Sequence, residues 1–459
     1  MTEKTGTPAK RQVHLAAGVP GVNHYTVWGD PTAGSQIDFD TFEHVAKTAE
    51  RGFFDYFFLA EGLRVRERNG QLHELDVAGR PDNLTVLAAV AGVTKHIGLV
   101  ATASAVFNEP YDLARKLASL DHLSNGRAGW NIVVSADAFT GENFRRGGYL
   151  PYDERYDRAG EFVDLSRVLW DSWPENALHS AGADFVSRAD VGDYRYSGKY
   201  FDTHGQFTVP RSPQGHPVLI QAGDSADGRD FAVRTVDVVF SRHSEPEAGR
   251  AFKRDISARA VAIGRDPESI KVIPGASVVL GDTEAEARER AREISFAQVT
   301  PQTAIALLQQ VWGTDLSGYD PDGPLPAVPT TDGDDVIQGI ARRHDDRLAT
   351  AREWFARAEA ENLSIRQLVV AATTRHEFIG TASQIAQQLD EAVQSRAADG
   401  YVLSGNVVPH GIDEFVDQVV PILQERGVLR TEYAGATLRE TLGLGELPVT
   451  TSWAERRAS

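Results

Sequence analysis

Gln221-Ala222-Gly223-Asp224-Ser225 closes a short apolar run and opens a helical stretch. Glycine at 223 permits a tight turn. The amides of Asp224 and Ser225 then stand at a helix N-terminus, where N–H groups and the helix dipole favour a phosphate. The Ser225 hydroxyl adds a donor. The same residues also read as a plain strand-to-helix turn with Ser225 as its N-cap. Asp224 must in either case turn its carboxylate away from a bound anion.

Further polar residues follow other apolar runs. Asn131 and Ser135 stand in and after Gly129–Val134, Thr102 and Ser104 follow Ile97–Ala101, and Glu61 follows Tyr56–Leu59. Neutral amides and hydroxyls suit the edge of a flavin, which offers donors and acceptors but little charge. Their plain readings are a strand terminus, a cap, and a solvated or ion-paired carboxylate. Tyr156, near the start of a helix in Asp153–Arg158, could present its hydroxyl to a phosphate; the charges around it also make i,i+4 pairs. Gly141–Gly148 is glycine-rich but not placed between strand and helix, and is taken as a binding loop. The histidines, His24, His204, His243, His344, His376 and His410 among them, show no metal-ligand spacing, so no metal is expected. There is no G-x-S-x-G elbow and no P-loop lysine.

Something must hold these side chains in one place. The strand candidates are Val13–Ala17, Tyr56–Leu59, Ile97–Ala101, Gly129–Val134, Val218–Ala222, Val236–Phe240, Val272–Leu280 and Tyr401–Ser404. Most lack polar alternation, as parallel strands buried on both faces do. Helical patterns lie between them: Asp40–Arg51, Leu84–Thr94, Leu113–Ser124, Glu154–Leu169, Phe231–Thr235, Arg250–Ile263, Glu284–Ile294 and Glu414–Arg426. Eight such units predict a single (β/α)₈ TIM barrel over residues 1–459, with a doubly wound open sheet as the alternative. Long insertions are expected after strands 4 and 7, at about 135–217 and 295–398, and a weakly ordered tail after about 444. In such a barrel the polar residues above fall at the C-terminal ends of strands, where ligands are bound.

The totals narrow the class. The 459 residues are 41% hydrophobic and 24% charged, as in a globular protein. The net charge of −18 argues against a nucleic-acid binder or adhesion to an anionic membrane. The absence of cysteine excludes disulfides, thiol nucleophiles and thiolate metal sites. With no signal-like N-terminus and no membrane-length apolar run, a cytoplasmic protein is expected.

A longer set of motifs then comes in order along the chain. It includes Thr48–Gly52 with Phe57–Gly62, Asn108–Tyr111, Ala118–Arg127, Gly129-Trp130-Asn131, Arg155-Tyr156, Leu169–Trp173, Pro213–Pro217, Ala398–Tyr401 and Glu414–Leu423. From about residue 12 to 444 the sequence resembles the bacterial luciferase-like flavin monooxygenases, in the branch of the nitrilotriacetate and dibenzothiophene-sulfone monooxygenases. The resemblance implies reduced FMN (FMNH₂) and O₂ as co-substrates, and insertion of one oxygen atom into a small organic substrate such as an organosulfur compound or aminopolycarboxylate. It places Glu61 near the flavin ring, Thr102, Ser104 and Asn131 on the ring or ribityl chain, and Tyr156, Gly223, Asp224 and Ser225 on the phosphate. A separate NAD(P)H:flavin reductase is the expected partner, since no nicotinamide fingerprint is present; a homodimer or homotetramer is expected.

The sequence departs from the family in places. Relatives more often carry Asp where Glu61 stands. Some have a histidine where this chain reads Gln310-Val311-Trp312-Gly313, and a tryptophan there would shape an apolar pocket. His24, after the first strand, is the remaining catalytic candidate, with a structural histidine as its other reading. Two further functions share the barrel: hydride transfer with deazaflavin F420, and non-catalytic flavin carriage. The substrate is open; Arg64, Arg66, Arg145 and Arg146 could meet an anionic one or simply be surface arginines.

Overall fold

In the computed structural model the eight apolar runs become β1 His14–Val19, β2 Tyr56–Leu59, β3 Gly98–Ser104, β4 Ala128–Val133, β5 Val218–Gln221, β6 Val238–Ser241, β7 Lys271–Ala276 and β8 Gly400–Ser404. They close into a barrel in the order β1-β8-β7-β6-β5-β4-β3-β2, and every pairing is parallel. The structure describes residues 10–20, 25–65, 67–68, 71–72, 79–134, 139–144, 152–173, 191–329 and 346–447. Among these no helix is long and apolar enough to cross a membrane.

Alternate residues of a strand face opposite sides. Ala16, Tyr56, Val100, Val218, Ile220, Val238, Ile273 and Val402 therefore form one buried cluster inside the ring. Leu15, Ala17, Phe57, Leu59, Leu99 and Leu403 pack outward on the helices. Those helices include α1 Phe39–Arg51, α2 Asn83–Ala91, α3 Pro110–Leu123, α4 Tyr152–Trp170, α5 Ala226–Thr235 and α6 Pro246–Ala262.

The floor of the barrel, at the strand starts, is built from acids and a plug. Asp55, Asp121, Asp237 and Asp399 accept from the amides of Leu15 (2.8 Å), Ala128 (2.9 Å), Leu219 (3.0 Å) and Val272 (2.8 Å), each at the start of a strand. Arg430 and Arg439, from the C-terminal segment, pair with Asp55 (2.7 Å) and Asp237 (3.0 Å). The short helix Leu438–Thr441, which carries Arg439, and the residues just after it send Leu438, Leu442 and Leu444 into the inner cluster. Gly98 makes room: a Cβ there would lie 2.5 Å from Leu438.

The segment between β4 and β5 holds a 3₁₀ turn, Phe139–Asn143, then α4 and an antiparallel hairpin, Asp193–Ser197 with Asp202–Gln206. That between β7 and β8 carries α7 Glu284–Gln298, α8 Pro301–Trp312, α9 Arg347–Glu361, α10 Ile365–Thr373 and α11 Ala382–Gln394. Leu308, Val311, Trp312, Ala351, Ile365 and Val369 give α8–α10 a core of their own.

Three expectations are corrected. Val272–Leu280 is not one strand: the chain leaves the barrel after Ala276, and Val278–Leu280 pairs in parallel with Phe378–Gly380. The run stays apolar across that exit, so hydrophobicity does not mark it. Glu414–Arg426 is not one regular α-helix; it opens as a π turn, Phe415–Val419, before Val420–Glu425. Pro421 has no N–H for the usual i−4 bond, which favours the wider turn. Trp312 shapes no pocket at the mouth: it is 2% exposed in the α8–α10 core, and its indole donates to the Ala327 carbonyl at 3.1 Å.

Candidate active site

The C-terminal ends of β2, β3, β4 and β5 are neighbours in the ring, and most of the polar residues marked in the sequence lie along that arc. Thr102 and Asn131 are register partners on β3 and β4. Both are buried, and the Asn131 amide donates to the Thr102 hydroxyl at 3.0 Å. Asn131 Oδ1 is buried and unpartnered among the described residues. A buried acceptor left bare costs about 1–3 kcal/mol; a ligand donor at the mouth would satisfy it.

Glu61, two residues beyond β2, is in the same condition. Its Oε2 is buried and has no partner among the described residues. Burial, with the charge of Asp82 added, pushes its pKa up to about 7. At neutral pH it is poised between donor and acceptor, unlike a solvated surface glutamate.

Ser104 behaves differently. It is fully buried, and its hydroxyl accepts from the amides of Val106 (3.1 Å) and Phe107 (3.3 Å). That arrangement folds the chain back after β3. Nearby Asn83 donates to the Leu59 and Thr102 carbonyls, at 3.2 and 3.3 Å, and ties the ends of β2 and β3 together.

After β5 the chain makes the expected glycine turn into α5. Ser225 is the N-cap, and its hydroxyl oxygen accepts from the Gly228 amide at 3.1 Å. The capping reading is therefore correct as far as it goes, and the hydroxyl proton is left for a further acceptor. Asp224 turns away from the turn. Its carboxylate takes Arg229 (2.9 Å), Arg242 (3.0 Å) and His243 (3.0 Å). Partial burial pushes its pKa up, but the bonds from His243 and Arg229 win and hold it below the usual carboxylate range. The charge that would repel a phosphate is thus neutralised and aimed elsewhere.

Tyr156 of α4 completes this corner. Its ring lies 5.5 Å from that of Phe231. A Cβ at Gly223 would come 2.6 Å from its hydroxyl, and one at Gly228 would come 2.8 Å from it. Gly223 and Gly228 thus let the backbone close tightly on the tyrosine hydroxyl and on Gln221, whose Nε2 a Cβ at Gly223 would meet at 2.0 Å. Tyr156, Gly223 and Ser225 are brought together as expected.

Beside this arc lies a cavity of about 990 Å³, lined by Thr26, Trp28, Gln36, Gly79, Gln298 and Thr300 among others. Its walls come from the chain after β1 and the corner between α7 and α8. Arg80 follows Gly79 and donates to the Pro20 carbonyl at 2.8 Å, beyond β1. Nothing in the sequence distinguished Arg80 or Trp28; their positions depend on the ring closing. Among the marked arginines, Arg64 pairs with Glu142. His24, Ser135, Arg66, Arg145 and Arg146 lie outside the described residues. His44 joins His410 and Asp413, three residues apart on a distant segment, within 4.8 Å, where hydrogen bonds to Asp413 (2.9–3.0 Å) account for the grouping.

Comparison with known proteins gives this geometry a family. The luciferase-like monooxygenase family matches residues 22–399. N-acetyl-S-(2-succino)cysteine monooxygenase of Bacillus subtilis (strain 168) is 40% identical over 452 residues, 96% of this chain and 99% of that protein. Nitrilotriacetate monooxygenase component A of Aminobacter aminovorans is 39% identical, over 92% and 94% of the two chains. A crystal structure of riboflavin lyase, with a modified FMN and riboflavin, superposes with a TM-score of 0.77 at 31% identity, over 95% of this chain and 97% of that one. With its closed barrel and a match of such length, the chain belongs to the luciferase-like monooxygenases and is an oxygenase on the (β/α)₈ scaffold.

Proposed function

We propose that the chain is the oxygenase component of a two-component system that takes reduced FMN from a separate NAD(P)H:flavin reductase. With it, one atom of O₂ is placed on a small organic substrate such as an organosulfur compound or aminopolycarboxylate. Two relatives' names support the reading: one is a component A, and one structure contains a modified FMN. The whole chain would act as a single barrel domain in the cytoplasm, as a homodimer or homotetramer.

The residues fit that cofactor. The glycine turn at the start of α5, packed against the Tyr156 hydroxyl, suits a phosphate, with the amides of Asp224 and Ser225 and the Ser225 hydroxyl as donors. The bare Asn131 Oδ1 suits an N–H on the edge of the ring, and Thr102 orients Asn131. Ser104 supports this edge by shaping the turn beneath it. Bound FMNH₂ would supply the electrons that activate O₂. The chain's own residues position it, exclude water from the mouth and keep a proton at Glu61 Oε2 or release it near neutral pH. The observation that carries the reading is the glycine turn packed against Tyr156, set on the same arc as the bare Asn131 Oδ1 and Glu61 Oε2.

The test is oxygen consumption with FMN, NADH and a generic flavin reductase, run with a panel of organosulfur and aminopolycarboxylate compounds. Substrate-dependent oxygen uptake with stoichiometric product is the expected result. If flavin binds but O₂ uptake stays at the reductase-only rate with every compound, the carrier reading replaces this one.

A further inference from the structure

Two imidazoles and a carboxylate meet where the first and last parts of the barrel come together. His44 stands on α1, which follows β1. His410 and Asp413 bracket a short 3₁₀ turn, His410–Ile412, which follows β8. β1 and β8 pair side by side, so the two ends of the ring supply one cluster. Metal-ligand spacing along the chain could not show it, because His44 precedes Asp413 by 369 residues. The turn is held firmly: the Gly411 amide donates to the Val407 carbonyl at 2.6 Å, and a Cβ at Gly411 would meet Gly405 Cα at 2.5 Å.

The same atoms that make the hydrogen bonds converge as ligands. His44 Nε2 lies 3.0 Å from both carboxylate oxygens of Asp413, and His410 Nδ1 lies 2.9 Å from Oδ2. Both nitrogens thus approach one oxygen, although a carboxylate has room for separate partners on its two. The rings stand edge to face with centroids 4.3 Å apart, and all three ligand atoms fall within 4.8 Å of one another. Ligand atoms around a tetrahedral Zn²⁺ sit roughly 3.4 Å apart, so small side-chain shifts separate this trio from a ligand set. His410 and Asp413 also line a cavity of about 450 Å³, which gives water access to the remaining coordination positions. The other acids of that lining are engaged. Glu414 takes Arg290 at 2.8 and 3.2 Å, and Asp30 accepts from the Thr32 amide and hydroxyl at 2.8 and 2.6 Å.

We infer that His44, His410 and Asp413 bind one divalent transition cation of the zinc class, as a clasp across the β1–β8 seam. Two imidazole nitrogens with one carboxylate suit such an ion, whereas Mg²⁺ and Ca²⁺ take oxygen ligands. An ionised carboxylate only accepts, so each imidazole gives Asp413 a proton-bearing nitrogen. On binding, that proton moves to the other nitrogen of the same ring, and the freed lone pair takes the metal. The folded chain alone gathers the three ligands, so the ion stabilises the closed ring. The inference is independent of the oxygenase reading.

The probe is Zn²⁺ added to the untagged full chain, read by calorimetry and thermal unfolding, with Mg²⁺ as the control ion. Wild type is expected to bind one Zn²⁺ at this site, to melt at a higher temperature with it, and to show no response to Mg²⁺. Co²⁺ is expected to give the visible absorption bands of an imidazole-bound ion. His44→Ala, His410→Ala and Asp413→Asn are each expected to weaken Zn²⁺ by at least the cost of losing an outer-shell partner, about tenfold, and to lose the Co²⁺ bands. The three side chains are 36%, 47% and 28% exposed, so their replacement spares the core. No Zn²⁺ binding by wild type overturns the inference, as does an equal response to Mg²⁺. Wild-type Zn²⁺ affinity in H44A and H410A overturns it too, by placing the ion elsewhere. Should a variant not fold, the wild-type Co²⁺ spectrum still decides, since bands of oxygen-only coordination refute the two imidazole ligands.

Discussion

Replacing Glu61 by glutamine gives the sharpest test of the site's electrostatics. Burial, aided by Asp82, moves its pKa from an ordinary 4.5 to about 7. At about 1.4 kcal/mol per tenfold this is a penalty of roughly 3 kcal/mol on the ionised form, and partial exposure trims it to roughly 2. The folded chain keeps this proton to higher pH than the unfolded chain. Between about pH 4.5 and 7 it therefore binds more protons, and stability falls as pH rises through that window, with the full penalty present above it. Glutamine is neutral throughout and has nearly the same shape. E61Q is expected to be more stable than wild type by roughly 2 kcal/mol at about pH 8.5, with the gain shrinking below roughly 1 kcal/mol by about pH 5. Urea unfolding of both apoproteins across this range, followed by tryptophan fluorescence, measures the difference. A gap that does not change with pH, or a less stable E61Q in alkali, would refute the burial argument.

Other expectations concern the phosphate corner and the floor. Ser225→Ala should lower FMNH₂ affinity by roughly 1–3 kcal/mol in an anaerobic titration, and cost α5 about 1 kcal/mol of capping in unfolding experiments. Gly223→Ala should weaken FMNH₂ about tenfold or more, because the new methyl falls 2.0 Å from Gln221 Nε2 and 2.6 Å from the Tyr156 hydroxyl; an unchanged titration would remove the turn from the site. Leu438→Ala, at a fully buried position in the plug, should cost about 2–5 kcal/mol of unfolding free energy while leaving flavin affinity alone.

The barrel was legible because its strands are short, mostly apolar runs separated by helical periods, and both signals are local. Val218–Gln221 and Tyr56–Leu59 needed nothing else to be found. What escaped depends on contacts between distant segments. The exit of the chain at Ser277 is set by Phe378–Gly380, which no pattern near Val278 announces. The plug at Leu438 looks like any short apolar stretch until eight strands surround it.

The candidate site divides along the same line. Asn131 and Thr102 were visible as polar residues at strand ends, and the glycine turn as a breaker before a helix. Their strand-end address carried the prediction. Ser104 has that address too, yet its hydroxyl is turned onto the following amides. Arg80 and Trp28 carried no local mark, because their places are set only once the ring closes. The ion-pair sink around Asp224 likewise needs Arg242 and His243 brought back from beyond β6.

The plugged floor also orders events during synthesis. β1 is among the first elements made, yet its neighbour β8, the partners of its Asp55 clamp and the three leucines that fill the ring are all among the last. A nascent chain can assemble half-barrels but cannot shut the cylinder until nearly all of it has left the ribosome. Such long-range closure makes folding slow and leaves open strand edges exposed meanwhile. Tail deletions should therefore appear first as aggregation during expression, before any change in chemistry at the opposite mouth.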